Sequence, residues 1–417
     1  MNQKHTVIPH IIDQHAEEAA FLWLLRRNAV YAPHYNLKDL AKLDSRVEAH
    51  IDGLRIAGDY GWEACCNNLE FKGAGEVFAA GILALEGDNS ERIGKVYQVA
   101  EETPETVTGL ISAFGWVEPH HLQGKVSGLL VSKNPLWRQV GIAACAIHRI
   151  DPGKYLYQAI QDDDPRLKAR ALRAAAELGR VDLKQAVLDQ VNDQNATVGF
   201  WATWAAVLLG ARGNALSLLQ TRIIEGSEFS VKAMSAAFRV LGLNEVKEVL
   251  KGLVQNEDRL RGAVIGSGIS GDPSYIPWLI KQMEVPKLAK IAGESFSLIT
   301  GIDIAYDDLD GELPKDFAVG PTENPEDENV AMDADEDLPC PDPLLIDSWW
   351  KQYQHNFLPG RRYLLGKPVN ELQCQSVLRT GKQRQRQAAA LELALMQPAT
   401  PLFETRAIGR RQQQWLS

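Results

Sequence analysis

The chain contains 417 residues, of which 44 are Lys or Arg and 54 are Asp or Glu, so its formal net charge is −10. An acidic chain is a poor candidate for nucleic-acid binding, which needs a basic surface. The five cysteines include no CxxC pair, which argues against a disulfide framework and for a reducing compartment. No signal-peptide pattern and no apolar run of about 18 residues is present, so we expect a cytoplasmic protein that binds no membrane.

Residues 1–70 are predicted to form an N-terminal helical cap. The segments 17–27 and 44–56 have amphipathic helical patterns, but they lie outside the repeat that follows them. Repeat arrays need end units that differ from the internal repeats. A cap is therefore the simplest role for this region.

Residues 71–306 carry a stripe of small and apolar residues that returns about every 31 positions. The spacing i, i+4, i+7, i+8, i+11 places each set on one side of an α-helix. The three clearest sets are Leu136, Val140, Ala143, Ala144, Ile147; Leu167, Ala171, Ala174, Ala175, Leu178; and Val198, Ala202, Ala205, Ala206, Leu209. A stripe that recurs at such a period is typical of stacked helical hairpins. Glycines just past several stripes, such as Gly179 and Gly210, are typical of helix C-termini.

The striped segments also carry helix start signals. In the best copy Asp164 is suited to cap a helix whose first residue is Pro165. The segments 164–179 and 271–283 resemble HEAT repeats of the short, roughly 30-residue kind. We therefore predict an all-α fold: a HEAT-like helical-repeat superhelix (α-solenoid) over residues 71–306, with the N-terminal helical cap.

The segment 307–343 is rich in Asp, Glu and Pro and poor in apolar residues. Such a composition cannot bury enough apolar surface to fold alone, so we interpret the segment as a solvated acidic linker or loop. A docking strand for a basic partner is the alternative.

Residues 344–417 are predicted to form a basic C-terminal helical segment. They contain 11 Lys or Arg and 4 Asp or Glu, a balance of +7 against −17 for the rest of the chain. We expect this basic excess to pack against the acidic body or linker, and a surface for a partner is the alternative. Trp349 and Trp350 are expected to anchor the segment, with a binding role as the other interpretation.

Several longer strings are more specific than the repeat signatures. They are residues 15–23 (HAEEAAFLW), 43–58 (LDSRVEAHIDGLRIAG), 360–364 (GRRYL), 366–368 (GKP) and 410–417 (RRQQQWLS). On these strings the chain resembles a bacterial HEAT-repeat family of unknown function, whose members resemble proteins encoded near type VI secretion genes. The resemblance implies an accessory, adaptor or immunity role, and it supplies no catalytic motif.

No sequence pattern indicates catalysis, a metal or a cofactor. His15 with Glu18, and His50 with Asp52, come nearest to a metal-ligand pair, but no HExxH or paired-carboxylate motif completes a site. The glycine-rich segment 266–273 follows no predicted strand and falls on a repeat junction, so it is not interpreted as a phosphate-binding loop. We therefore predict a protein that is not an enzyme and has no catalytic residues, no metal and no cofactor.

The side of the repeat helices away from the stripe is predicted to bind a protein partner. In HEAT-like hairpins the helix after the Asp-Pro turn generally lines the concave face. There Arg170, Arg173 and Glu177 are expected to be exposed, and Trp201 and Trp204 occupy the positions in the next repeat that match the two arginines. Two tryptophans beside two arginines is the composition of an interface hot spot. Burial of the two tryptophans between repeats, instead of exposure to a partner, is the equally favoured alternative.

Together these features predict a non-enzymatic protein-binding scaffold. The resemblance implies its setting: a type VI secretion-associated immunity or accessory/adaptor protein that grips a secreted effector or a secretion-apparatus component on its concave face. The alternative is a HEAT-like DNA-processing enzyme of the glycosylase type, which would need a basic groove, an aromatic clamp and an acid. The balance of −17 outside the basic segment argues against that alternative.

Overall fold

A computed structural model of the protein describes residues 8–312 and 333–417. These ranges contain twenty-two α-helices and one two-stranded antiparallel hairpin, so the predicted all-α class is confirmed. No helix in them is long and apolar enough to cross a membrane.

The elements are numbered in chain order. The helices are α1 (Pro9–Ala29), α2 (Leu37–Ala57), α3 (Asp59–Asn68), α4 (Ala74–Glu86), α5 (Ser90–Glu102), α6 (Val107–Trp116), α7 (Lys125–Leu130), α8 (Pro135–His148), α9 (Lys154–Ile160), α10 (Pro165–Glu177), α11 (Lys184–Leu188), α12 (Ala196–Leu208), α13 (Asn214–Glu225), α14 (Ser230–Ala237), α15 (Leu243–Val254), α16 (Glu257–Ser270), α17 (Ile276–Met283), α18 (Pro286–Thr300), α19 (Pro343–Tyr353), α20 (Glu371–Thr380), α21 (Gln383–Met396) and α22 (Gly409–Leu416). The strands are β1 (Tyr363–Leu364) and β2 (Lys367–Pro368), which pair with Leu364 opposite Lys367.

The chain packs as two units. The first consists of Met1–Ala205 with Ala399–Ser417, and the second consists of Ala206–Pro398. The last three residues of α12 are therefore counted with the second unit. The four segments proposed from the sequence have other boundaries and remain predictions.

In the first unit, alternate helices pack against one another in succession. α4 contacts α6, α6 contacts α8, and α8 contacts α10, while α1 packs against α2 and α4. Most stripe residues on these helices are buried: Leu110, Val140 and Ala171 are completely inaccessible to solvent, and Leu136 and Ile147 on α8 are half-buried. The stripe predicted from the sequence is thus confirmed as the buried side of the helices.

The second unit shows the same alternation. α14 contacts α16, α16 contacts α18, and α21 packs against α14 and α20. The stripe residues Phe238 and Phe296 are fully buried. Trp350 lies in the same core as Phe296, and Trp349 meets the Phe296 ring edge to face with 5.5 Å between centroids. The two tryptophans therefore anchor α19, as predicted.

Part of the C-terminal segment crosses the ends of three helices in the second unit. Tyr363 N donates to Gly271 O, at the end of α16, at 2.8 Å, and Gly366 N donates to a carbonyl in the last turn of α18 at 2.9 Å. Arg362 Nη1 donates to Arg239 O, just beyond α14, at 2.9 Å. The last carbonyls of a helix have no partner within the helix, and this segment supplies their donors.

The final residues also bind the helix ends of the first unit, both as donors and as an acceptor. Leu402 N donates to Glu177 O, at the end of α10, at 3.0 Å. Arg149 Nε, just after α8, donates to Leu402 O at 2.8 Å, and Arg411 Nη1 donates to Gly115 O in the last turn of α6 at 3.1 Å. In each unit the basic segment therefore packs against the body, which was the expected arrangement.

The acidic segment 307–343 is described only at its two ends, because residues 313–332 lie outside the described residues. Leu338 is 7% exposed and belongs to the core of the second unit. Asp335 forms an ion pair with Arg261 at 2.6 Å. Leu338 and Asp335 therefore have partners in the second unit, whereas Asp308 and Asp310 at the other end are exposed, and the interpretation of the segment as a linker remains a prediction.

Gly271 occupies a position at which the fold requires glycine. Its φ is +68°, and a Cβ atom there would lie 2.5 Å from Tyr363 O. We expect Gly271→Ala to lower the free energy of unfolding by more than the roughly 1–2 kcal/mol that a left-handed non-glycine residue costs, because the collision must also be relieved. Urea denaturation measures this change.

Gly252→Ala provides the matched control. Gly252 lies inside α15, and a Cβ atom there meets nothing within 4 Å. This substitution should raise the free energy of unfolding by about 0.5–1 kcal/mol, because alanine loses less backbone freedom than glycine. Similar effects of the two substitutions would contradict the role assigned to Gly271.

Candidate functional site

Three of the side chains named in the predicted binding surface lie on one side of α10. Its first turn is capped by Asp164, whose Oδ1 accepts a backbone hydrogen bond of 2.9 Å, and Pro165 is the first helical residue. From this start, Arg170, Arg173 and Glu177 follow at spacings of three and four residues, which are neighbours on a helix surface. The start signal predicted from the sequence is therefore confirmed.

Glu177 is the buried centre of a charge cluster. Arg170 Nη2 donates to Oε2 of its carboxylate and Arg173 Nε donates to Oε1, each at 2.8 Å. Arg406 Nη2, from the C-terminal segment, lies 3.5 Å from Oε1. Burial raises the pKa of the Glu177 carboxyl, but the surrounding guanidinium groups outweigh it and hold the pKa well below its usual range. Glu177 therefore stays ionised although it is 2% exposed.

The C-terminal segment adds a second buried carboxylate. Glu404 accepts hydrogen bonds of 2.7 Å from both Nε and Nη2 of Arg406, and Arg149 Nη2 lies 3.5 Å away. Burial raises the pKa of Glu404, yet Arg406 and Arg149 hold it below its usual range. With Arg170 and Arg173, four guanidinium groups surround two carboxylates, which leaves an excess of two positive charges.

Tyr31 lies at the exposed edge of this positively charged cluster. Burial raises the pKa of its phenol, but Arg406, which donates a hydrogen bond to it, and Arg173 outweigh the burial and lower the pKa. Tyr31 follows α1 and is 51% exposed. A partner can therefore reach the edge of the cluster through this residue.

Trp201 and Trp204 lie next to the cluster on α12. The Arg173 guanidinium stands over the Trp201 ring, 5.0 Å from its centroid, in a cation–π contact. The Trp201 and Trp204 rings meet edge to face, with 5.4 Å between centroids. The structure therefore brings Arg173, Trp201 and Trp204 together, and Arg170 joins them through Glu177.

The expected exposure is wrong for Glu177, and Trp204 follows the equally favoured alternative of burial. Trp204 is 8% exposed because α12 is predominantly apolar, and a helix of this kind is buried over most of its surface. Glu177 is buried where the C-terminal segment meets the end of α10, and the Arg170 side chain is 14% exposed. Arg173 and Trp201 are half-exposed.

The C-terminal segment is the part of the site that the sequence did not reveal. Glu404 and Arg406 complete the cluster, although they lie far from Glu177 along the chain. The reversal of charge in residues 344–417 was a signal for pairing with the body. It could not indicate which acid meets which base, because that depends on the path of the backbone.

His15 and His50, the histidines that came nearest to a metal-ligand pattern in the sequence, lie close to each other in the structure. The Nδ1 atoms of His15 and His50 are 3.1 Å apart, an approach that neither residue's sequence neighbours indicated. Within residues 8–312 and 333–417, no group of three His, Cys, Asp or Glu side chains is arranged to hold a metal ion.

The half-exposed side chains at this site are Tyr31, Arg173, Trp201 and Arg406, and we call them the arginine–tryptophan surface. Comparison of the chain with protein-family models, with characterised proteins and with solved structures finds no match. The surface is therefore interpreted from its own geometry and charge.

Replacing the central carboxylate should destabilise the first unit. We expect Glu177→Gln to lower the free energy of unfolding by about 3–5 kcal/mol, because it leaves the Arg170 guanidinium buried without its counter-ion. Urea denaturation measures the loss. Glu225→Gln is the control: it removes a half-exposed carboxylate that pairs with Arg222 at 3.3 Å, and it should cost less than about 1 kcal/mol.

The same variant should reveal a pH dependence. The pKa of Glu177 is lower in the folded protein than its ordinary value of 4.5, so its ion pairs stabilise the fold fully above that value. This stabilisation is lost as the pH falls from there toward the folded-state pKa. The difference in unfolding free energy between the native protein and Glu177→Gln should therefore be largest near neutral pH and shrink below about pH 4. A difference that is constant with pH would show that the charge of Glu177 is unimportant.

Proposed function

We propose that the protein is a non-enzymatic, HEAT-like helical-repeat scaffold that binds a protein partner on the arginine–tryptophan surface. The observation that carries this proposal is the half-exposed Arg173 stacked on Trp201, beside the accessible Tyr31 and Arg406. Tyrosine, tryptophan and arginine dominate the binding energy of protein interfaces.

The surface is also held in place before any partner arrives. Arg173 and Arg406 are both fixed by the buried carboxylate of Glu177, and Arg406 is fixed again by Glu404. Side chains that are already immobilised lose little entropy on binding, so more of their contact energy remains as affinity. This rigidity supports a recognition role.

The charge of the cluster indicates the kind of partner. Four arginines around two carboxylates leave two positive charges, of which Arg173 and Arg406 are the accessible carriers. A carboxylate of the partner can form charge-assisted hydrogen bonds with these guanidinium groups. We therefore propose that the partner presents an acidic segment containing apolar or aromatic residues that can cover Trp201.

The succession of alternate helices supports the repeat class within each unit. α4, α6, α8 and α10 follow one another in the first unit, and α14, α16 and α18 do so in the second, with the stripe residues buried between them. HEAT-like hairpins stack in this manner and use the helix sides left over for recognition.

The buried acids at the site do not favour the DNA-processing alternative. A general acid or base that works near neutral pH needs a raised carboxyl pKa. The pKa values of Glu177 and Glu404 are both lowered by arginines. Their role in this proposal is to hold the guanidinium groups.

The biological setting proposed is the one that the sequence resemblance implies, an immunity or accessory/adaptor protein of a type VI secretion system. The identity of the partner tests it. Capture of a toxin encoded by a neighbouring gene would support immunity, capture of a secretion-apparatus subunit would support an adaptor, and capture of neither would contradict the setting.

The binding surface is tested by affinity capture from native lysate with the full-length protein and mass spectrometry. We expect Arg173→Gln combined with Trp201→Ala to reduce recovery of the partner at least tenfold, roughly the loss of one hot-spot residue. Circular dichroism verifies that the variant is folded. Rising salt should also weaken capture, because accessible charges are screened.

Arg46→Gln combined with Tyr60→Ala is the matched control. Both residues are exposed in the first unit, and Tyr60 is 59% exposed, so the variant removes one arginine and one aromatic from a different surface. Its recovery of the partner should equal that of the native protein. Equal losses in the two double variants, or none in either, would contradict the proposed surface.

A further inference from the structure

A second arginine-rich site lies within the second unit, in a cavity of about 550 Å³. Arg239, just beyond α14, Arg361 and Arg362, just before β1, and Glu392 on α21 supply its charged wall. Its other wall is apolar and includes Leu395. This volume lies in the range of small-molecule sites, which are typically apolar with a few converging polar groups.

The one carboxylate of the cavity is already engaged. Glu392 is 4% exposed and accepts from both terminal nitrogens of Arg362, with Nη1 3.3 Å from Oε2 and Nη2 bound to Oε1. Because this bidentate pair neutralises Arg362, the positive charges of the other two arginines are not fully compensated.

Arg239 is held at the cavity with part of its guanidinium unsatisfied. It is 8% exposed, and its Nη1 donates to Ser235 O at 2.7 Å. Its Nε is buried and lies 3.2 Å from Glu392 Oε1, but without the geometry of a hydrogen bond. Burial lowers the pKa of Arg239 to about 10 against the opposing effect of Glu392. Because this Nε is buried against Glu392, a ligand in the cavity would meet the other nitrogens of the guanidinium.

Arg361 offers a second available guanidinium at the same cavity. Its side chain is exposed, and it forms no ion pair or hydrogen bond with any residue in the part of the chain that the structure describes. The carboxylate of the cavity, Glu392, is bound by Arg362, so Arg361 has no counter-ion there. The positive charges of Arg239 and Arg361 together can be balanced by about two negative charges on a ligand.

We propose that this cavity binds a small organic anion, in which a carboxylate or phosphate group meets Arg239 and Arg361 and an apolar body lies against Leu395 and its neighbours. Arginine matches the two-oxygen edge of both anionic groups, so the charged wall accepts either. The cavity lies in the second unit, so this site does not depend on the protein-binding surface proposed for the first.

Isothermal titration calorimetry with the full-length protein tests the site. The probes are phenyl phosphate and phenylacetate, with benzyl alcohol as the neutral analogue. We expect saturable binding of at least one anion, while benzyl alcohol binds at least tenfold more weakly because it leaves the guanidinium groups without a counter-charge. The stronger of the two anions identifies phosphate or carboxylate as the preferred group.

Arg361→Gln should weaken binding of the preferred anion about tenfold or more, and because Arg361 is exposed and unpaired the protein should fold normally. Arg166→Gln is the control, since it removes the same charge from an exposed arginine of the first unit. The proposal is overturned if neither anion binds, if benzyl alcohol binds as tightly, or if the two variants weaken binding equally.

Discussion

The carbonyl groups at the C-terminal ends of the packed helices need hydrogen-bond donors from outside their own helix. The rest of the structure depends on which parts of the chain supply these donors. In the second unit the donors are backbone groups around β1 and the side chain of Arg362. In the first unit they are Leu402 N and Arg411. Cations at these ends also meet the negative pole of each helix, which favours arginine there. The basic C-terminal segment is therefore part of the packing of both units.

The same capping interactions build the candidate binding surface. Because Leu402 N donates to Glu177 O, the chain that follows carries Glu404 and Arg406 to the end of α10. A buried carboxylate is expensive to remove from water, and one guanidinium partner rarely compensates for the loss. Glu177 is met by three arginines and Glu404 by two, so both acids are satisfied, and the half-exposed members of the network are Arg173 and Arg406. Structural stability and surface charge thus come from one network.

Local rules predicted much of this architecture, and long-range contacts account for what they missed. The stripe through Ala171 and Ala174 and the cap at Asp164 depend on spacing along one helix, so the sequence was sufficient for them. The burial of Trp204 was also predictable in principle, since α12 is predominantly apolar. The pairing of Glu177 with Arg406 depends on the path of the backbone through more than two hundred intervening residues, and no spacing rule encodes such a path. The contacts of Leu338 and Asp335 could not be predicted for the same reason, because partners such as Arg261 lie outside the acidic segment.

The net charge of the chain is a poor guide to what its surfaces attract. At physiological ionic strength charges are screened beyond about 8 Å, so an approaching group responds mainly to its nearest neighbours. The overall charge is −10, yet four arginines outnumber two carboxylates around Glu177. At the cavity beside Arg239, three arginines outnumber one carboxylate. In both places the buried acid is fully engaged and the outermost guanidinium is accessible, as with Arg361. An acidic protein can therefore carry two local excesses of positive charge, and these are the places at which the proposed anionic groups would be attracted.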